Sequence, residues 1–230
     1  MSAVLVAGSD GGIGRACVEA VEATGWAAFG VDLAGGIDIT TPGHAEKALA
    51  QATAVHGQIS GVVHAVGMSG RSLGDGGVVE CTDKAWQEVH RVNHESVFRL
   101  LRAAIPAMRE GGSIVVIGSA LGSSLDDDFR TVAYASAKGA LIPLIRTAAR
   151  EAAPHGVRVN LISAGLVATP MSRRAQTSEA VKAKLPSLMP LGAGPCQPEE
   201  VAQAVLWLLS PSSGRTTGAV IPVDGGWHLR

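Results

Sequence analysis

The sequence contains few aromatic side chains and a single tyrosine, Tyr134, in 230 residues. Phenylalanine, tryptophan and tyrosine together make up 3% of the chain. The tyrosine lies in the stretch YASAKGAL, where Lys138 follows it by about one helical turn. Because tyrosine is so scarce, this pair is the first candidate for chemistry.

Cysteine is also scarce, and its arrangement excludes two common roles. Cys17, Cys81 and Cys196 are odd in number, far apart and without CxxC spacing. This pattern argues against a disulfide framework and against a structural zinc site. We therefore predict no metal and a location in the reducing cytoplasm.

The chain lacks both an excess of one charge and a long apolar run. It has 19 Lys plus Arg against 20 Asp plus Glu, so no overall field attracts nucleic acid or anionic lipid. No segment approaches the roughly 20 apolar residues of a membrane span. The N-terminus MSAVLVAGSDGGIG has no basic region, which favours a first strand over a signal peptide. We predict a soluble protein with a small-molecule partner, and neither nucleic acid nor membrane as a partner.

What the chain does contain is an alternation of short β-rich runs with longer segments of helical period. This order predicts one α/β domain over 1–230, a doubly wound Rossmann-type fold with a mostly parallel sheet. The predicted strands are Ala3–Ala7, Ala27–Asp32, Gly61–Ala65, Ser113–Gly118, Val157–Ile162 and Ala219–Val223. The predicted helices lie near Gly12–Thr24, His44–Val55, Thr82–Met108, Val132–Ala153 and Pro198–Leu209.

One connection is too short for this pattern. Only LAGG separates Asp32 from Ile37–Ile39, whereas a parallel crossover needs about a dozen residues. We therefore predict a sheet shortened at its third-strand edge, with GIDIT as an extended loop or a very short strand.

The segment AGSDGGIGRA after the first strand is typical of a dinucleotide-binding turn. Gly8, Gly12 and Gly14 permit close backbone approach at the entry to a helix, whose free amides accept a pyrophosphate. Asp32 lies about 20 residues further on, where an acidic side chain binds the ribose hydroxyls. Its carboxylate repels a 2′-phosphate and neither Leu33 nor Asp10 offers a positive charge, so NAD is favoured over NADP. A glycine-rich turn without a ligand and a carboxylate that only caps a turn are the simpler alternatives.

Tyr134 and Lys138 are four residues apart in a segment of helical period, so they project from one helix face. A nearby ammonium favours tyrosinate and is expected to lower the pKa of Tyr134. The pair is then able to exchange a proton with an alcohol or ketone. A surface phenol beside a solvated lysine is the alternative.

In its order of motifs the chain resembles the short-chain dehydrogenase/reductase family of the classical type. The resemblance runs from the first strand to the last few residues, through the glycine turn and the Tyr134 and Lys138 signature. The other matching segments are HAVG, RVNHESVF, VVIGSALG, RVNLISAGLVATPM and VDGG. The family transfers a hydride between a nicotinamide ring and a carbinol carbon.

The resemblance implies a role for each catalytic candidate. Tyr134 exchanges the proton, Lys138 binds the nicotinamide ribose, and Asn93 supports a water-linked proton path. Ser119 holds the substrate oxygen, although the segment before Tyr134 is about two residues longer than the family pattern, which leaves Ser123 or Ser124 as alternatives.

The resemblance also implies the cofactor contacts. Thr169 lies near the carboxamide and Asp38 near the adenine. The full set is Gly8, Asp10, Gly12, Ile13, Gly14, Asp32, Asp38, Ala65, Gly67, Tyr134, Lys138 and Thr169. Two departures concern loop geometry: His64 replaces an asparagine, and Ala164 stands where a proline is common. We interpret His64 as a core histidine.

Residues 165–195 lack strand signals and are interpreted as a substrate lid. The apolar residues there fit a hydrophobic substrate face or a short helix packed on the core equally well: Leu166, Val167, Met171, Leu185, Leu188, Met189 and Leu191. Asp126, Asp127 and Asp128 disfavour anionic substrates if they border the pocket, although a solvated turn is the simpler account.

The sequence therefore predicts an NAD-dependent dehydrogenase or reductase of a secondary alcohol or ketone, apolar or cyclic. One alternative is 3-oxoacyl carrier-protein reduction, with Arg130, Arg173 and Arg174 as contacts. Another is an NAD-binding sensor without turnover. Apolar residues on more than one helix face predict a homodimer or homotetramer: Val97, Leu100, Leu101, Ile105, Leu141, Ile142, Leu144 and Ile145.

Overall fold

A computed structural model of the protein describes residues 3–108, 110–192 and 194–229. Its centre is a six-stranded parallel sheet with the strand order β2-β1-β3-β4-β5-β6. The strands are β1 Ala3–Ala7, β2 Ala27–Val31, β3 Ile59–His64, β4 Gly112–Ile117, β5 Val157–Ala164 and β6 Val220–Val223. Each predicted strand is present, with its ends displaced by at most two residues.

Helices cover both faces of this sheet, because the central strands are apolar on both sides. The helices are α1 Gly12–Ala23, α2 His44–His56, α3 Asp83–His90, α4 Ser96–Ala107, α5 Val132–Gly139, α6 Leu141–Ala152, α7 Arg173–Thr177, α8 Glu179–Leu188 and α9 Pro198–Leu209. Leu5 and Ile114 pack with α2, α4 and α6 on one face. Val6 and Val115 pack with α1 and α9 on the other. The predicted doubly wound α/β fold is confirmed.

Two predicted helices are interrupted. The segment predicted as Thr82–Met108 contains a π turn over Arg91–Glu95, between α3 and α4. Here the side-chain amide of Asn93 donates to the carbonyl of Val89, and Ser96 Oγ donates to that of Val92. Such bonds from side chain to backbone bend a helix. The segment predicted as Val132–Ala153 divides at Ala140 into α5 and α6.

The shortened edge is confirmed. After β2 the chain makes a 3₁₀ turn over Leu33–Gly35 and continues as a loop to α2. Ile37 and Ile39 on this loop are buried in the core below the sheet edge. Within the described residues no strand forms between β2 and α2, so β2 is the edge of the sheet.

The segment 165–195 contains α7 and α8 instead of an open loop. Leu185, Leu188 and Met189 form a small apolar cluster with Leu166 around the buried indole of Trp227. Most of the apolar residues of this segment therefore serve packing. In the described part of the chain, no helix is both long enough and apolar enough to cross a membrane.

Candidate active site

A cleft of about 970 Å³ opens at the carboxyl ends of the strands, where β1 lies between β2 and β3. This is the switch point at which open α/β sheets bind their ligands. Twelve of the residues predicted from the sequence line the cleft: Gly8, Asp10, Gly12, Ile13, Asp32, Asp38, Ala65, Gly67, Ser119, Tyr134, Lys138 and Thr169.

The glycine turn forms one end of the cleft because it leaves no room for side chains. Gly8 has a φ of 87°, and a Cβ there would lie 2.9 Å from the carbonyl carbon of Ala65. A Cβ on Gly12 would lie 2.6 Å from Cγ2 of Thr169. Helix α1 begins at this turn without a side-chain cap, so its first amides remain available to an anion.

Gly14 was predicted to contact the cofactor, but it does not line the cleft. A Cβ at this position would lie 1.9 Å from the carbonyl oxygen of Gly8. Gly14 is therefore required for close packing of α1 against the turn, and it does not form part of the cleft wall.

The two carboxylates predicted at the adenosine end both line the cleft. Asp32 accepts hydrogen bonds from the amides of Leu33 at 2.7 Å and Asp10 at 3.1 Å, which fixes its orientation. Asp38 accepts from the amide and hydroxyl of Thr40 at 2.9 and 2.6 Å. Burial acts to raise the pKa of Asp38, but these bonds and the charge of Arg91 lower it overall.

Ser119, Tyr134 and Lys138 meet at the other end of the cleft. Ser119 follows β4, and its Oγ accepts from the amide of Leu121 at 3.2 Å. Lys138 is buried, with its Nζ 5.9 Å from the centroid of the Tyr134 ring and donating to the carbonyl of Ile117 at 2.9 Å. The end of β4 and helix α5 thus bring the Ser119 hydroxyl, the Tyr134 phenol and the Lys138 ammonium to one place.

The expected depression of the Tyr134 pKa is not found. Burial raises the pKa of Tyr134, and a hydrogen bond with Ser119 opposes this only in part. Burial also lowers the pKa of Lys138 to about 8. The prediction was wrong because it counted the ammonium and not the loss of solvent around both groups. At neutral pH the pair is a phenol beside an ammonium.

The alternative serines lie elsewhere. Neither Ser123 nor Ser124 lines the cleft, and Ser123 Oγ instead donates to the carbonyl of Ala120 at 3.5 Å. The two extra residues of this segment are accommodated in the turns beyond Ser119, so they leave Ser119 at the strand end.

Asn93 does not line the cleft but lies directly behind its wall. Its Nδ2 donates to the carbonyls of Met68 and Val89, both at 3.0 Å, and its Oδ1 accepts from the amide of Met68 at 3.2 Å. A Cβ on Gly67 would lie 3.0 Å from that oxygen and 3.6 Å from Lys138 Nζ. The Asn93 side chain therefore fixes the segment of Gly67 and Met68, which lies between Asn93 and Lys138.

His64 is fully buried at the end of β3, as expected for a core histidine. Its Nε2 lies 2.8 Å from Ser96 Oγ, whereas Nδ1 has no hydrogen-bond partner among the described residues. Burial is the main cause that lowers the pKa of His64 to about 3, and the positive charge of Lys138 is the second.

Asp75 is a site residue that sequence analysis did not find. It is buried, and its two oxygens accept from the amides of Ala133 and Tyr134, each at 3.0 Å. A carboxylate at a helix N-terminus stabilises the helix. Asp75 therefore fixes the start of α5, but its partners are 58 and 59 residues away and no local pattern marks it.

The substrate end of the cleft has an apolar wall with two arginines. Phe129 packs edge-on against Trp227, with ring centroids 5.0 Å apart, and both line the cleft. Arg71 and Arg174 line it too, whereas none of Asp126, Asp127 and Asp128 does. The three aspartates belong to a turn where Asp127 pairs with Arg130 and Asp128 with Lys184.

A nicotinamide dinucleotide fits the residues along this cleft. The glycine cradle and the uncapped start of α1 suit the pyrophosphate, Asp32 suits a ribose diol, and the buried ammonium of Lys138 suits a second ribose. This set defines the class of protein as a dinucleotide-dependent oxidoreductase.

Comparison with known proteins gives the family. The family model described as Enoyl-(Acyl carrier protein) reductase matches residues 18–228. The 3-oxoacyl-[acyl-carrier-protein] reductase FabG of Escherichia coli (strain K12) is 30% identical over an alignment that covers 98% of this chain and 96% of that protein. The (3R)-3-hydroxyacyl-CoA dehydrogenase of Mus musculus is 36% identical over 155 residues, 66% of this chain and 58% of that protein.

A solved structure gives the same result. A short-chain type dehydrogenase/reductase from Mycobacterium ulcerans is 30% identical, with a TM-score of 0.91, and the match covers 100% of this chain and 90% of that one. The chain belongs to the short-chain dehydrogenase/reductase family, as its motifs predicted. It is therefore an oxidoreductase of the type that binds nicotinamide cofactors and acts on small molecules.

Proposed function

We propose that the protein is an NAD(H)-dependent dehydrogenase or reductase that interconverts a secondary alcohol and a ketone. The observation that carries this proposal is the meeting of Ser119, Tyr134 and Lys138 at one end of a cleft whose other end carries the glycine turn and Asp32. When bound, the nicotinamide ring supplies or accepts the hydride.

The roles of the side chains follow from their protonation. The raised pKa of Tyr134 keeps the phenol protonated at neutral pH, so it serves as the proton donor to a ketone oxygen. Ser119 donates a second hydrogen bond to the same oxygen, where negative charge develops. The ammonium of Lys138 stabilises the tyrosinate that proton transfer leaves and binds the nicotinamide ribose. Asn93 acts as a positioning residue behind the proton path.

NAD is proposed over NADP because of the environment of Asp32. Its carboxylate is held toward the cleft by two backbone amides, and the exposed residue that follows it is Leu33 and not a cation. A 2′-phosphate there would meet a negative charge. Asp38 and Thr169 complete the proposed cofactor contacts, at the adenine and near the carboxamide.

The proposed substrate is apolar or cyclic. We propose residues 165–195 as a lid over the substrate end of the cleft, and Leu166, Val167 and Met171 of this segment line the cleft. The edge-on pair of Phe129 and Trp227 adds an aromatic wall. Such a wall suits a ring or a compact hydrocarbon group.

The test is a fluorescence titration of the purified protein with NADH and NADPH, followed in the same cuvettes by a panel of ketones. We expect tighter binding of NADH, and its oxidation by some member of the panel. Preferential binding of NADPH would contradict the role given to Asp32. Tight binding of NADH without turnover across a broad panel would favour an NAD sensor. The presence of Ser119, Tyr134 and Lys138 together argues against a sensor, because a sensor does not need all three.

Reduction of a 3-oxoacyl thioester is the second candidate. It is supported by the identity with the carrier-protein reductase and the hydroxyacyl-CoA dehydrogenase. Of the arginines first considered as carrier contacts, Arg174 lines the cleft, whereas Arg130 and Arg173 do not. The same ketone panel, extended with acetoacetyl thioesters, separates the two candidates.

We further propose a homodimer or homotetramer located in the cytoplasm. Of the large apolar residues on α4 and α6, six form the face that packs in the core of this chain: Val97, Leu100, Leu101, Ile105, Leu141 and Ile145. Ile142 and Leu144 stay partly buried, and Trp86 and Phe98 are 44% and 46% exposed, which leaves an apolar surface for a second copy. Monomeric elution in light scattering at micromolar concentration would contradict this assembly. The three free cysteines suit a reducing compartment.

A further inference from the structure

Two arginines line the cleft together with the apolar wall proposed for the substrate. Arg71, half-buried on the loop after β3, and Arg174, exposed on α7, both line the cleft. Burial lowers the pKa of the Arg71 guanidinium, and the positive charge of Arg174 lowers it further. The negative charge of Asp75 acts in the opposite direction. Since the charge of Arg174 acts on Arg71, the two guanidinium groups repel each other, and an anion that binds both would stabilise them.

The described residues provide no such anion. Arg71 donates one hydrogen bond, to the backbone carbonyl of Asp128 at 3.4 Å. The nearby carboxylate of Asp75 is already occupied by the amides of Ala133 and Tyr134. Within the described ranges, neither Arg71 nor Arg174 has a carboxylate within ion-pair distance.

The aspartates nearest in sequence to the substrate wall are also engaged elsewhere. Asp128 pairs with Lys184 of α8, and Asp127 pairs with Arg130, so neither turns toward the cleft. The two arginines therefore line a cleft whose wall also includes the apolar side chains of Phe129, Leu166 and Trp227.

We propose that Arg71 and Arg174 form a clamp for an anionic group, a carboxylate or a phosphate, that the substrate carries away from its reacting carbonyl. This inference rests on the proposed function and deepens it, because it adds an anionic group to a ketone or alcohol whose remaining part is apolar or cyclic. Two guanidinium groups bind such oxyanions through paired hydrogen bonds that a single ammonium does not reproduce. The apolar wall then holds the rest of the molecule.

The test compares paired substrates, of which one carries an anionic group and the other does not. Levulinate and the acetylbenzoates are compared with their methyl esters for the carboxylate. Acetoacetyl-coenzyme A is compared with acetoacetyl-N-acetylcysteamine, which lacks the phosphates. The measured quantity is the ratio of kcat/KM for the charged member to that for the neutral member, in the wild type and in the variants Arg71→Gln and Arg174→Gln.

The wild type is expected to favour the charged member of at least one pair. Because hydrogen bonds to charged groups are worth roughly 1.5–3 kcal/mol, each variant should lower that ratio about tenfold or more. The substrate pair whose ratio of kcat/KM falls in the variants shows whether the anion is a carboxylate or a phosphate. Arg173→Gln is the control, since Arg173 is the exposed neighbour on α7 that does not line the cleft, and it should leave the ratio unchanged.

A second measurement does not depend on turnover. Calorimetric titration of the protein with benzoate, and with benzamide as the neutral match, should show binding of benzoate that Arg174→Gln weakens and Arg173→Gln does not. Reduction of neutral ketones with no preference for their charged partners would overturn the clamp and leave the proposed function intact. Binding of benzoate without reduction of any ketone would support the clamp and overturn the proposed function. If benzoate does not bind and no charged substrate is preferred to its neutral partner, or if all variants bind benzoate equally, the clamp is wrong.

Discussion

Burial of a single histidine gives the protein a measurable acid sensitivity. The pKa of His64 is lowered to about 3 from an ordinary value of 6.5, because the ring is excluded from water and lies near Lys138. In the unfolded chain the same ring binds a proton below pH 6.5, while in the folded chain it does not. Its contribution to stability is therefore complete above pH 6.5 and is lost as the pH falls from 6.5 toward 3.

We predict that this residue adds up to about 1.4 kcal/mol per pH unit to the decline in the free energy of unfolding below pH 6.5. Urea unfolding of the wild type and of His64→Gln, measured between pH 7 and 5, should give a smaller slope for the variant. His155→Gln, which changes an exposed histidine, is the control and should keep the wild-type slope.

Two results would contradict this prediction. Equal slopes in the wild type and His64→Gln would show that another group carries the acid sensitivity. If the variant does not fold, the His64 ring in the wild type is observed directly by NMR, and its protonation near pH 6 would contradict the account.

At the scale of secondary structure, the start of α5 depends on a carboxylate from a distant loop. Asp75 accepts two amide hydrogen bonds at the helix turn that carries Tyr134. Replacement of Asp75 by Asn removes the charge and turns a donor toward an amide, because an Asn side chain has a single acceptor oxygen. The bond to one amide is lost and the helix dipole loses its counter-charge.

We predict that Asp75→Asn lowers the free energy of unfolding by roughly 1–3 kcal/mol and lowers kcat more than it weakens NADH binding. Urea denaturation, ketone reduction and NADH fluorescence measure the three quantities. Asp83→Asn, in the exposed first turn of α3, is the matched control and should change stability by less than about 0.5 kcal/mol. A similarly small change in Asp75→Asn would show that Asp75 does not fix α5.

The same elements show what the sequence is able to predict. The strands depend on contiguous patterns, so their places are found correctly, and the glycine turn and the Tyr134 and Lys138 pair, found in the same way, line one cleft. The hydrogen bonds of Asn93 to Met68 and of Asp75 to the start of α5 span 25 and 58 residues, which no local period encodes. The raised pKa of Tyr134 depends on burial, and burial becomes known only when the sheet and α5 are assembled.

At the scale of the whole molecule, the cleft is electrically divided although the chain is nearly neutral. Asp10, Asp32 and Asp38 line the proposed dinucleotide end together with the ion pair of Glu88 and Arg91, whereas Arg71 and Arg174 line the proposed substrate end. A formal net charge of −1 correctly predicts no strong overall field, but it does not reveal this separation. The division arises because the loops after different strands of one parallel sheet converge at its carboxyl edge.

The central claim is that Tyr134 donates the proton when a ketone is reduced. The most direct test is NADH consumption by the wild type and by Tyr134→Phe with a ketone that the wild type reduces, with NADH binding measured in the same samples. Because positioned acid catalysis contributes typically 10²–10⁴-fold, we predict that the variant loses turnover by about that factor while its affinity for NADH is retained. Turnover at the wild-type rate by Tyr134→Phe would contradict the account.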